Sequence, residues 1–229
     1  MKDNHTIVIS LGGSLIVPNE VDTEFLKSFT MTIKDYVSKD FSFWIITGGG
    51  KICRRYNDFL KEITSPSNED LDWLGISATR LNAELVRLCF GELAYDKVVL
   101  DPDVMPSTKS PIIVGGGWKP GNSSDLAAIH SAKSLGAKKI INLSNVDYVY
   151  DSDPKKNAEA KAIKNISWED FRKIIPKEWG PGINSPFDPI AAMEAERLGF
   201  EVVVLNGKNL DNLKNYLDGK EFVGTTIKN

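Results

Sequence analysis

Apolar residues along this chain follow two alternating periods. Thr6–Leu11, Phe41–Thr47, Ser110–Val114, Lys139–Leu143 and Phe200–Leu205 are short, β-branched runs bounded by turn residues, which predicts buried strands. Tyr95–Leu100 and Thr225–Ile227 add two more short strands. Between them the period changes to that of a helix. Val21–Lys39 carries Phe25, Leu26, Phe29, Ile33 and Val37 on one face, with Asp22 or Thr23 to cap its start. Lys51–Ile63, Asp72–Phe90, about Ser123 to Leu135, Ser167–Ile175, Asp188–Leu198 and Leu210–Leu217 read the same way, with Pro189 suited to a first helical turn. Thr64–Asp70, Asn145–Asn157 and Pro176–Pro186 read as loops. Strands alternating with helices predict an α/β fold with a mainly parallel sheet covered on both faces.

Composition narrows the classes. The 229 residues are 41% hydrophobic and 26% charged, with a net charge of −3, which excludes intrinsic disorder. The apolar runs Phe43–Ile46 and Val202–Leu205 are far too short to span a bilayer, so no membrane partner is expected. Polar Met1–His5 leads directly into a strand, without the apolar core of an export signal, and a cytoplasmic location is expected. The mild acidity gives no field for nucleic acid. Cys53 and Cys89 fit neither a metal site nor a disulfide framework and are expected as free thiols. His5 and His130 are too few for a histidine metal site.

Glycine placement carries the chemistry. Gly12-Gly13, Gly48-Gly49-Gly50 and Gly115-Gly116-Gly117 each end a predicted strand and precede a predicted helix, with Gly121 close behind the last. Bare backbone and helix N-termini at the carboxyl ends of a parallel sheet suit phosphate groups. None of the clusters has the spacing of a Walker loop or a dinucleotide fingerprint. Around them, Lys51, Arg54 and Arg55 offer cations, and the loop Lys119–Ser124 offers hydroxyls and amides. Asp125 follows in a first helical turn, where it either complements the helix dipole or orients cations at a reacting phosphate. The acidic turn from Asn145 to Pro154 is either a solvated loop or a water-mediated Mg²⁺ holder.

The ordered segments SLGGSL, ITGGGKICRRY, DWLGISATRLNAEL, IVGGGWKPGNSSDLAA, INLSNVDYVYDSDPKK, FDPIAAMEAERLGFEVVVLNG and GTTI resemble the amino-acid kinase superfamily. Within it the chain is most similar to the uridylate (UMP) kinases of the archaeal type. The resemblance implies a three-layer αβα sandwich in one domain over residues 1–229, with an acceptor lobe to about 122 and an ATP lobe from about 123. It implies transfer of the γ-phosphoryl group of MgATP to UMP in a cytoplasmic homohexamer. By that likeness Gly12, Gly13 and Ser14 line the transfer region beside ATP, with Ser10 on the same strand end and Lys51 available as a cation. Gly50 and Arg54 contact ATP, and Ser144, Tyr150 and Asp153 hold its adenosine. Gly49 contacts UMP, Asp72 binds its sugar, and Trp118, Lys119, Pro120, Gly121, Asn122, Ser123 and Ser124 wrap its phosphate and base. Asp125 organises the cationic groups.

The chain departs from the family pattern at several points. Ser10 and Asn145 stand where many relatives carry lysine, Tyr148 replaces a turn glycine, and Trp118-Lys119 and Asn122-Ser123-Ser124 replace other residues of the acceptor loop. The stretch Gly180–Pro186 also differs. Trp118 could stack on a base, reshape the pocket or fill a gap. Two further readings therefore stand beside UMP phosphorylation: a phosphotransferase of this superfamily with another acceptor, and a nucleotide-binding storage or regulatory protein without rapid turnover.

Overall fold

The computed structural model describes residues 5–154, 156–177 and 185–229. Strand β1 (His5–Leu11) is followed by a one-turn helix α1 (Gly13–Ile16) and α2 (Thr23–Val37). Then come β2 (Phe41–Thr47), α3 (Gly50–Ile63), α4 (Asn68–Phe90), β3 (Ile112–Gly115) and α5 (Ser124–Leu135). The second half runs through β4 (Lys139–Ser144), β5 (Val149–Tyr150), β6 (Ala162–Ile163), β7 (Asn165–Ile166) and α6 (Trp168–Ile174). It ends with α7 (Pro189–Leu198), β8 (Glu201–Asn206), α8 (Leu210–Leu217) and β9 (Thr225–Ile227).

Seven strands form one sheet in the order β3-β2-β1-β4-β8-β9-β7. Pairing is parallel from β3 through β8, and β9 runs antiparallel to β8. The alternation within strands sorts side chains into two cores. Ile9, Leu11, Phe43, Ile45, Val203 and Leu205 face one side with Phe29 and Ile33 of α2 and Leu213 of α8. Val8, Trp44, Ile46, Val202 and Val204 face the other with Ile129 of α5, Phe171 of α6 and Ala192 of α7. This is the predicted αβα sandwich, since strands buried on both faces need a helical layer on each.

Local differences have local causes. α4 begins at Asn68 rather than Asp72, because Ser67 and Asp70 form a capping box: Ser67 Oγ accepts from Asp70 N–H at 3.1 Å, and Asp70 Oδ2 accepts from Ser67 N–H at 2.9 Å. Tyr95–Leu100 bridges β3 only at Val99, with a second isolated bridge just before it at Ala94, and Asp96 and Lys97 between them interrupt the edge. The turn after β4 is not wholly irregular. It forms the hairpin β5–β6, pinned by Thr225, whose Oγ1 accepts from Val149 N–H at 2.8 Å. Most of the expected Pro176–Pro186 loop, and of the divergent Gly180–Pro186 stretch, lies outside the described residues.

Candidate functional site

Strand order reverses around β1, which pairs with β2 on one side and β4 on the other. In open α/β sheets the crevice outside the carboxyl ends at such a point is where ligands bind. Here it is built by close packing of loops. Gly50 has φ of 64°, and its Cα lies against the Gly13 carbonyl, so that a Cβ on either residue would collide with the other's backbone. Gly117 packs on α4 in the same way, where a Cβ would strike Thr79 and come within 2.9 Å of the Ile76 Cα. The glycine clusters thus serve first to bring loop against loop and loop against helix, and only the remaining backbone faces solvent.

Helix α4 ties the loops down. Asn82, buried, donates to the Gly48 carbonyl at 2.8 Å. Thr79 Oγ1 accepts from Gly117 N–H at 2.8 Å, and Arg80 donates to the carbonyls of Gly117 (3.0 Å) and Trp118 (3.1 Å). Asp72 Oδ2 accepts from Gly121 N–H at 2.8 Å, fixing the tip of the same loop. The result is a cleft of about 250 Å³. Of the residues expected at the site, Gly49, Gly50, Arg54, Asp72, Lys119, Asn122, Ser123, Ser124 and Asp125 line it.

Asp125 sits in the first turn of α5, capped by Ser123, whose Oγ accepts from Leu126 N–H. Its Oδ1 accepts from the Ser10 hydroxyl at 2.8 Å and from Asn142 Nδ2 at 3.3 Å, and its Oδ2 from Asp188 N–H at 3.1 Å. Burial pushes its pKa up to about 7, the nearby Asp188 charge adds to this, and the Ser10 and Asp188 hydrogen bonds oppose it. Asp188 is itself buried and caps α7 through Oδ1, which accepts from Ala191 N–H at 2.7 Å. Its pKa is also raised by burial, against the pull of the Ala191 and Ile190 amides. Its Oδ2 is buried without a hydrogen bond of normal geometry, although the Ser123 hydroxyl is near enough to favour the charged form. From the sequence alone Asp188 is only the start of a helix. Its approach to Asp125, 63 residues earlier, is a product of the fold.

Other expected residues lie outside the cleft. Gly12 and Ser144 meet at the ends of β1 and β4, where Gly12 N–H donates to the Leu143 carbonyl at 2.9 Å. Gly13 and Ser14 open α1, Tyr150 belongs to the hairpin, and Asp153 lies in the connection between its two strands. Lys51 is exposed and its Nζ is hydrogen-bonded to Asn19 Oδ1, so the first turn of α3 points it away from the cleft. Pro120 and Gly121 carry the loop without lining the cleft. Trp118 has its ring 4.9 Å from that of His130 on α5, and Lys119 Nζ lies 4.0 Å from its ring centroid. His130 Nδ1 in turn is 2.8 Å from Asp103 Oδ1. In the acidic turn, Asp147 accepts from Asn206 and Asp151 from Lys161 N–H, and no group of three metal-binding side chains occurs among the described residues. Both cysteines are free, and burial raises the Cys53 thiol, which makes it less reactive.

Comparison with known proteins agrees with this architecture. Residues 5–206 match the model of the amino acid kinase family. A uridylate kinase of Pyrococcus abyssi is 34% identical over 228 residues, covering 97% of this chain and 99% of that protein. One from Thermococcus kodakarensis is 35% identical with the same coverage. The crystal structure of uridylate kinase from Archaeoglobus fulgidus superposes with a TM-score of 0.80 at 32% identity, covering 96% of this chain and 99% of that one. UMP kinase from Bacillus anthracis shares the fold, with a TM-score of 0.78 at 22% identity over 98% of this chain and 96% of its own. With its sheet order, its glycine-packed strand ends and these full-length likenesses, the chain belongs to the amino acid kinase family.

Proposed function

We propose that this protein transfers the γ-phosphoryl group of ATP to UMP, giving UDP and ADP. One observation carries the reading. A single cleft joins Asp72 and the Lys119–Ser124 loop, suited to a nucleotide, with the Asp125–Asp188 carboxylate pair at the strand ends. The full-length likeness to archaeal uridylate kinases supplies the acceptor. In the reaction a UMP phosphate oxygen attacks the γ-phosphorus and ADP leaves, so the protein's part is positioning and charge stabilisation. Arg54 holds the phosphates from the first turns of α3, beside the Gly49 and Gly50 backbone. Gly12, Gly13, Ser14, Ser144, Tyr150 and Asp153 take ATP from the β4 side. The division into lobes near residue 122 has support in the sheet, where β1–β3 come from the first part and β4–β9 from the second.

The chemistry of the carboxylate pair fits Mg²⁺. Two adjacent aspartates, one with a buried oxygen that makes no hydrogen bond of normal geometry and both held toward protonation by burial, suit a cation that needs few carboxylates. Asp125 and Asp188 would hold it, and when bound it neutralises charge on the phosphates. Self-association is supported by α3, whose Tyr56, Phe59 and Ile63 form an exposed apolar stripe, Ile63 being 82% exposed. No helix among the described residues is long and apolar enough to cross a membrane.

The reading is tested with γ-labelled ATP against UMP, other nucleoside monophosphates, and carboxylate and carbamate acceptors. Label entering UMP most efficiently is expected. Label entering a different acceptor, or tight ATP binding with no label transferred, would favour one of the rival readings.

A further inference from the structure

Helix α3 has a hydrophilic composition, and the one side chain it buries is an amide, that of Asn57. Asn57 is 7% exposed, lines the cleft, and its Oδ1 has no hydrogen-bond partner. An unsatisfied buried acceptor is disfavoured unless something outside the structure satisfies it. The register of the helices shows where that would be. α3 and α4 pack antiparallel, with Gly49 against Thr79 and Cys53 against Gly75. One more four-residue step along each helix sets Asn57 opposite Leu71, next to Asp72, and both of these also line the cleft.

In the acceptor reading above, Arg54, Asp125 and Asp188 of the cleft lining face the phosphates. Asn57 lies three residues beyond Arg54, about 4.5 Å further along the helix, which is the scale of the step from a nucleotide's phosphate to its sugar. Asp72 gives Oδ2 to the Gly121 amide, which leaves Oδ1 for a ligand. Building on the acceptor reading above, we infer that Asn57 is a specificity-determining residue that accepts a hydrogen bond from a ribose hydroxyl of the acceptor, beside Asp72. The site would thereby select ribonucleotides over their deoxy forms.

The test compares UMP, 2′-deoxy-UMP and 3′-deoxy-UMP as acceptors for the wild type, Asn57→Leu and Asn57→Ala, with thermal unfolding to confirm that each variant folds. The wild type should discriminate against at least one analogue. Both variants should lose about tenfold in kcat/KM for UMP while changing less than twofold for that analogue. A structural role would lower all three acceptors together, and that result overturns the inference. So does a wild type that uses UMP and both analogues equally, or variants with unchanged selectivity. If the wild type does not phosphorylate UMP at all, the kinase reading itself fails and takes this inference with it, an outcome visible before any variant is made.

Discussion

The donors that hold Asp125 are neutral: the Ser10 hydroxyl, the Asn142 amide and the Asp188 backbone N–H. At Ser10 the carboxylate therefore meets an uncharged hydroxyl. Its pKa of about 7 lies above that of the unfolded chain. Between about pH 4 and pH 7 the folded state therefore binds more protons than the unfolded state, and this group's contribution to stability falls as pH rises. Asp125→Asn removes that titration. The variant's stability relative to wild type should improve by up to about 4 kcal/mol as pH rises from 4 to 7 and level off above 7, as denaturant unfolding across pH would show. A pH-independent difference would mean that Asp125 is ionised throughout. At this scale Asp125 was legible, because a polar loop after a glycine cluster pointed to it. Asp188 was not, since Asp-Pro at a helix start has an ordinary capping explanation and its neighbour is distant in sequence.

Among the elements, α4 does more than cover the sheet. Through Thr79, Arg80 and Asn82 it holds both the Gly48–Gly49 and the Gly117–Trp118 backbones. Arg80→Met keeps the apolar stem and removes two hydrogen bonds to the acceptor loop. KM for UMP should rise about tenfold, with kcat within about threefold, by steady-state kinetics. An unchanged KM would show that the loop is held by packing alone. The helix itself was legible from its periodicity, but its first turn was missed because Ser67 and Asp70 resemble loop residues until their reciprocal caps are seen. The glycine clusters were found for a reason that the structure amends. Composition suggested backbone left bare for phosphate, whereas Gly13, Gly50 and Gly117 are needed chiefly where chain meets chain.

At the scale of the whole molecule, the alternation of strand and helix patterns was enough for the αβα sandwich, because a strand buried on both faces permits few other arrangements. Strand order was not legible, nor was the antiparallel β9, since neither depends on local pattern. The apolar stripe of α3 belongs to this scale too. Ile63→Glu, at its most exposed point, should shift the sedimentation profile toward smaller species, and an unchanged profile would place the contact elsewhere. In the proposed reaction the carboxylate pair promotes phosphoryl transfer to UMP. Its most direct test is steady-state formation of UDP from ATP and UMP by the wild type and by Asp125→Asn, with UMP affinity measured by calorimetry. We predict UDP from the wild type, and in the variant a kcat at least about a hundredfold lower with UMP affinity within about twofold. No UDP from the wild type, or a variant that turns over as fast, would contradict the account.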